Sequence, residues 1–306
     1  MNFLNALPGA VAQGLIWGLM AIGLYISYKI LDIADLTVDG SICTGACVCA
    51  VLVTNGVPVS VAMLIAFLAG ALAGAVTGLF HTAMGIPPIL AGILTQLILW
   101  SVNLKILGKA NMSLSARKYD VLLSSLDNPM AILIGAIFCA AIIVVLWLFF
   151  YTEIGLSIKS TGDNQEMSRA QGINVSLNKV IGLAISNGIV ALSGAILAQY
   201  QGFADINMGR GAIVIGLAAI IIGLSISLKI KPNFVVSLIG VVGGSVIYYL
   251  VYTLVIELGL DTDLLKMLSA VVVAIFLSTP YIKSTYFAKK HTPIAENKEE
   301  EDSANA

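Results

Sequence analysis

The stretch Gly162-Asp-Asn-Gln-Glu-Met-Ser-Arg-Ala-Gln-Gly-Ile-Asn-Val175 is a charged, helix-prone island between two long apolar runs, Met130–Tyr151 and Val175–Tyr200. Seven more such runs, Gly9–Tyr28, Ser41–Val57, Val59–Met84, Ile89–Leu104, Ala212–Leu228, Phe234–Ile256 and Leu264–Ile282, bring the total to nine. Each is close to the ~20 residues that carry an α-helix across ~30 Å of hydrocarbon. The runs are continuous rather than alternating at period two, and they are too long for barrel strands, which need about ten residues. Lipid offers the backbone no hydrogen-bond partner, so helices are the architecture left. Composition agrees: 58% hydrophobic and 11% charged residues, against roughly 25% charged in a soluble domain, exclude a water-soluble fold around one core. The fold class is all-α, a polytopic membrane helix bundle of about nine transmembrane or partly spanning helices. A polar island inside such a chain is expected to dock a soluble partner.

Met1–Pro8 has no basic n-region and no convincing cleavage site follows, so the first run is expected to be retained as its own targeting signal. With the 152–174 island inside, Lys29, Lys159, Arg169, Lys179, Lys229, Lys231, Lys283, Lys289, Lys290 and Lys298 fall inside, while Lys105, Lys109, Arg117, Lys118, Arg210 and Lys266 fall outside. Ten against six favours an outside N-terminus and a cytoplasmic C-terminus, although the basic 105–118 loop opposes it. The acidic tail reads as solvated.

Cys43, Cys47, Cys49 and Cys139 lie in apolar runs, where small packing residues outweigh a disulfide framework or a metal site. His81 and His291 have no nucleophile or acid beside them, which removes most hydrolytic sites, and no phosphate-binding loop of the Gly-x-x-x-x-Gly-Lys-[Ser/Thr] type occurs. No catalytic residue, metal, bound cofactor or nucleic-acid partner is expected.

Gly70, Gly74 and Gly78 form a small-residue ladder on one helix face, read first as tight packing within the subunit and second as a dimer face. A weak internal repeat is more informative. Ala34-Asp-Leu-Thr-Val-Asp-Gly40 precedes the short run Ser41–Val57, and Ala204-Asp-Ile-Asn-Met-Gly-Arg-Gly211 precedes the short run Ala212–Leu228. Five helices separate the copies, an odd number, so the second is expected to be inverted relative to the first, the pattern of transporters whose pathway follows the repeat interface. Polar residues in or beside the apolar runs are the pathway candidates: Asp35, Asp39, Gln96, Asn103, Asn187 and Gln199, with Asp205 and Asn207 in the second copy. The alternatives are local. Asp35 and Asp39 cap the following helix from an aqueous loop, and Asn187 bonds across to a neighbouring helix. No chain of Asp, Glu and His appears at mid-span, which counts against a proton-driven carrier.

The run from Glu153 to Val175 resembles the cytoplasmic loop of bacterial ABC-importer permeases of the branched-chain amino acid and ribose type. The matching positions are Gly162, Asn164, Glu166, Arg169, Ala170, Gly172 and Ile173. Leu31–Ala46 looks like the segment after that family's first core helix and Gly211–Gly223 like its Gly-rich later segment, so the similarity spans most of residues 9–283. Within the family the chain looks closest to permeases proposed to carry aromatic amino acids.

The resemblance implies a permease domain over residues 1–288 with a coupling loop at 152–174, followed by a charged tail at 289–306. It also implies a second permease copy, an ABC ATP-binding subunit holding ATP and Mg, an extracytoplasmic solute-binding protein or lipoprotein, and a place in the bacterial cytoplasmic membrane. In the loop, Asp163 or Asn164 is expected to cap a rod of about 163 to 171 with Glu166 in its first turn, ended by Gly172 and continuing directly into Val175–Tyr200. A rod that short needs a partner to hold it. The expected solute is an amino acid. A sugar or nucleoside is the alternative within the family, and an ion-coupled secondary carrier or a non-transport scaffold the alternatives outside it.

Overall fold

The computed structural model describes residues 3–227 and 233–257, together with Met267, Ala270, Val271, Ala274 and Ser278. The tail at 289–306 and nearly all of the ninth apolar run lie outside the described residues. The other eight runs are helices: α1 (Phe3–Tyr25), α2 (Val38–Thr54), α3 (Val59–Thr82), α4 (Pro88–Leu107), α5 (Asn128–Phe150), α8 (Val175–Gln201), α9 (Ala212–Ser227) and α10 (Phe234–Glu257). The island folds as α6 (Glu153–Asp163) and α7 (Gln165–Ala170), and a π-helical turn, Ile26–Ile30, extends α1. Six of these helices are long and apolar enough to cross a membrane, while α2 and α9 are shorter. The all-α expectation needs one addition: β1 (Asn111–Ser113) pairs antiparallel with β2 (Phe203–Asp205).

Helices α1 and α8 form the buried axis. They run antiparallel and are pinned at two heights, where Ser193 Oγ donates to the Ile16 carbonyl at 2.7 Å and Ser186 Oγ to the Gly23 carbonyl at 2.8 Å. The glycine ladder of α3 lies on α8, with Gly70 against the Asn187 carbonyl, Gly74 against the Leu183 carbonyl and Gly78 against Val180. A side chain at the first two would meet backbone, so the ladder packs within the subunit. The opposite face of α3 exposes Leu64, Leu68 and Leu72, and α5 exposes Val144, Val145 and Leu148, apolar surfaces suited to lipid.

The short helices explain themselves by where they begin. After the π-helical turn the chain reverses at Asp32, which adopts a left-handed φ of 54°, a conformation that Asp tolerates better than most residues. It returns to the height of Asn187, midway along α8, and only there does α2 start; α2 then runs parallel to α8 until Thr54 reaches Met112 of β1. Helix α9 runs the other way. It packs antiparallel to α10, with Ala219 near Gly244 and Gly223 near Gly240, and α10 packs antiparallel to α1, with Val246 on Gly14 and Phe234 on Tyr25. So α9 follows α1 toward the island while α2 follows α8 toward the strand pair. The two Ala-Asp segments are therefore inverted relative to each other, and each makes the same local turn: Asp35 Oδ1 accepts from the Thr37 amide at 2.9 Å, and Asp205 Oδ1 from the Asn207 amide at 2.7 Å.

A mid-bundle junction and a polar elbow

The N-termini of α2 and α9 meet at Asp39. Its two carboxylate oxygens accept from the backbone amides of Gly211 and Ile213, each at 2.9 Å. An acid in the first turn of one helix thus satisfies orphan donors of the other, and its charge lies at the positive end of both helix dipoles. The Gly209 amide donates to Cys43 Sγ at 3.1 Å, closing the same junction.

Asp35 and Asn187 lie deeper, in a closed network. Asn187 Nδ2 donates to Asp35 Oδ2 at 2.6 Å and Asn187 Oδ1 accepts from Ser41 Oγ at 2.6 Å. Next to it Thr37, Thr77 and Thr95 join hydroxyl to hydroxyl at 2.7 and 2.9 Å, tying α3 and α4 to the start of α2. Asp35 does turn the chain into α2, but from a buried position rather than from the aqueous loop of the alternative reading. Gln199 is likewise engaged: its carbonyl oxygen accepts from the Leu122 amide at 3.0 Å and its Nε2 donates to the Ala195 carbonyl at 3.1 Å.

The remaining pathway candidates gather elsewhere. Asp39, Gln96 and Asn103 line a cavity of about 200 Å³ between α2, α4 and the approach to α9, whose wall also includes Trp100 and Arg210. Asn207 and Asp205 lie beside it, held by Trp100 Nε1 and Asn111 Nδ2 respectively, both donating at 3.4 Å. Asn103 is 1% exposed, yet neither its amide nitrogen nor its oxygen has a hydrogen-bond partner among the described residues. A second cavity, of about 360 Å³, is lined by Gln13, Trp17, Tyr248, Tyr249 and Tyr252, and Arg210 borders it as well.

At the opposite pole the island is an elbow rather than a single rod. Asn164 ends α6 and caps α7, its Oδ1 accepting from the Met167 amide at 3.0 Å; Asp163 takes no part in that cap. Gly172, at φ 80°, follows the end of α7, and Asn174 caps α8 anew, so the island does not continue straight into α8. Packing makes the tie instead. Asn178 Nδ2 donates to Ser157 Oγ at 2.6 Å and to Thr161 Oγ1 at 2.9 Å, and Ser160 and Ser168 hydroxyls meet at 3.0 Å across the bend. Gly162 lies against the Ile30 carbonyl of the π-helical turn so closely that any side chain would displace it. The exposed surface of the elbow carries Asn164, Glu166, Met167, Arg169 and Ala170, with Glu166 and Arg169 paired at 3.3 Å, while Gly162 and Ile173 are half-buried. Nearby, His81 Nδ1 lies 2.9 Å from the Ile86 carbonyl, which can only accept. That fixes the proton on Nδ1 and leaves Nε2 to accept from Lys179 Nζ at 3.1 Å.

Sequence reasoning missed Arg210, Trp100 and Met167. A signal for Arg210 was present, since Arg210-Gly211 closes the second Ala-Asp segment just before its short helix, as Asp39-Gly40 closes the first, with one residue inserted. Trp100 and Met167 are apolar residues whose placement only the fold reveals.

A bundle whose two shorter helices start head to head, beside cavities at mid-depth, is a membrane transport architecture. The family described as branched-chain amino acid transport system / permease component matches residues 7–277, and the chain belongs to it. It is similar to the tyrosine transport system permease protein of Clostridioides difficile, 40% identical over 90% of this chain and 92% of that protein. An uncharacterized protein of Rickettsia prowazekii is 35% identical over 90% of this chain and 98% of its own length. The autoinducer 2 import system permease protein LsrC of Salmonella typhimurium is 28% identical over 92 residues, 29% of this chain and 26% of that protein. No solved structure matches. The chain is a multi-pass permease subunit of an ABC importer, a transport component rather than an enzyme.

Proposed function

We propose that this permease carries an amino acid of the aromatic class inward across the bacterial cytoplasmic membrane, with its C-terminus on the cytoplasmic side. The observation that carries the solute reading is the near full-length similarity to a tyrosine transport permease. The cavity walled by Trp17, Tyr248, Tyr249 and Tyr252 supports it, since an aromatic solute gains from ring contacts there. In this reading two copies of the chain form the pathway, and an extracytoplasmic solute-binding protein or lipoprotein delivers the solute. An ATP-binding subunit on each copy hydrolyses ATP with Mg. The elbow is the coupling element: Asp163, Asn164, Glu166, Arg169 and Ala170 present a polar surface for the ATPase, and Gly162, Gly172 and Ile173 set its shape.

Nucleotide can shift the permease between outward and inward states only through contacts that differ between them. The route for such a shift is short. Gly162 touches the π-helical turn, and that turn leads through Asp32 directly to the start of α2 and the Asp39 junction. The test is to tag the chain in its native host, extract it in mild detergent and identify what co-purifies by mass spectrometry. An ABC ATPase and a solute-binding lipoprotein are expected; recovery of the chain alone under several mild conditions would remove the partner assignment.

A further inference from the structure

The cavity at the junction holds polar groups that the fold itself leaves unused. Asn103 is buried and has no hydrogen-bond partner among the described residues, a destabilising condition for a polar group shut away from water. Leucine, which fills the same space, would avoid that cost, so an asparagine there has a use beyond packing. The second group is Arg210, whose guanidinium makes no side-chain hydrogen bond or ion pair among the described residues. The third is Asp39. Two backbone amides occupy one direction on each of its oxygens, and a carboxylate keeps further acceptor positions free. An anion, a cation and a neutral amide thus border one small cavity, and Asp39 and Arg210 do not pair with each other.

We infer that this cavity is a subsite for the zwitterionic head group of an α-amino acid. Arg210 takes the α-carboxylate, Asp39 takes the α-ammonium, and Asn103 completes the hydrogen bonds of either group through its amide. A sugar or nucleoside has no fixed pair of opposite charges to place against Asp39 and Arg210. The Trp100 ring on the same wall adds a face that favours a nearby cation. The inference rests on the amino-acid reading above and gives it a location and a chemistry.

The experiment uses native-host cells in which the chromosomal copy is deleted and replaced by wild type, Asn103→Leu, Arg210→Gln or Arg210→Lys. Uptake is measured with each of the common radiolabelled L-amino acids. For the amino acid that wild type accumulates, Asn103→Leu and Arg210→Gln are expected to lower the maximal rate about tenfold or more, with apparent KM within about twofold because the external binding protein sets capture. Arg210→Lys should retain part of the rate. Asn103→Leu should unfold at the wild-type temperature or above in detergent, since it removes an unpaired buried amide. Wild-type rates in Asn103→Leu and Arg210→Gln would overturn the subsite while leaving the amino-acid reading intact. Loss of both rate and stability in Asn103→Leu would also overturn it, by making Asn103 a structural residue. Failure of wild-type cells to accumulate any amino acid, with the full importer present, would overturn the amino-acid reading and the subsite with it.

Discussion

The elbow at one pole and the junction at mid-bundle are both polar, and they use polarity in opposite ways. In the elbow the buried and half-buried polar side chains are paired with each other, since Asn178 serves two hydroxyls and Ser160 meets Ser168, and the exposed Asn164 caps α7. At the junction Asp39 is engaged, yet among the described residues Asn103 beside it has no hydrogen-bond partner and the Arg210 guanidinium has none either. A closed network fixes shape, which suits an element that must move as one piece. An open network keeps hydrogen-bonding capacity for something that arrives later. On the proposed function, the difference separates a part that transmits force from a part that meets a solute, within one chain whose apolar runs look alike.

The comparison breaks most completely at Gly162. A Cβ there would sit on the Ile30 carbonyl, and Gly162→Leu adds a full side chain to a contact with no room. Overpacking of that kind costs about 1–3 kcal/mol or more, and the elbow is expected to lift from the π-helical turn. Uptake should be abolished, and limited proteolysis should open the 163–174 stretch while α1 and α8 stay protected. A variant with normal uptake would show that the elbow needs no contact with the turn.

Next in size is Asp39. Asp39→Ala leaves the Gly211 and Ile213 amides without their acceptor; the Gly211 amide is exposed and turns to water, so the cost is about 1 kcal/mol or a little more, carried mainly by the half-buried Ile213 amide. Thermal unfolding in detergent should fall clearly below wild type. Asp39→Asn keeps one acceptor and should recover part of the stability but not the transport. Equal unfolding temperatures for Ala and wild type would mean that water replaces the carboxylate and the junction is looser than its geometry.

Much of this fold was legible because lipid imposes a simple rule: eight apolar runs became eight helices within a few residues at each end. The elbow's caps were partly legible too, since Asn164 and Gly172 are residue types with one strong local use. The bend at Asn164 was not, because α6 is held to α8 by Asn178 on Ser157 and Thr161, partners up to 21 residues apart, and to α7 by Ser160 on Ser168, and no local pattern connects them. The same limit applied to the pathway candidates. Composition marks Asp35, Asn187 and Gln199 as costly in lipid exactly as it marks Asn103, but only packing shows which of them already have partners. The strand pair was illegible for another reason: three residues on each side are too few for a period-two pattern to register, and their pairing spans 90 to 94 positions.

Arg169→Glu sharpens the comparison from the elbow's exposed side. The substitution replaces a surface pair with a like-charge contact to Glu166 and reverses the sign presented to the proposed ATPase partner. Stability should change by less than about 1 kcal/mol, because exposed pairs contribute little. Uptake should nevertheless fall about tenfold, because a like charge set against a complementary surface costs far more at a docking face than it does in water. Unchanged uptake would take Arg169 out of the coupling surface.

The smallest expected effect is the most discriminating control. Glu166→Gln removes the same pair without reversing a charge, and with side chains 59% and 84% exposed the pair is solvated on most sides. An i, i+3 pair of this kind contributes about 0.2–0.5 kcal/mol to a helix, and 0.15 M salt screens it further. The unfolding temperature of Glu166→Gln should therefore match wild type, at low salt and high alike. If it does while Arg169→Glu loses uptake, the loss belongs to the docking surface and not to α7 itself. A drop in stability as large as that of Asp39→Ala would instead place the Glu166–Arg169 pair inside the closed network, and the elbow's rigidity would then depend on its surface as well as on Asn178.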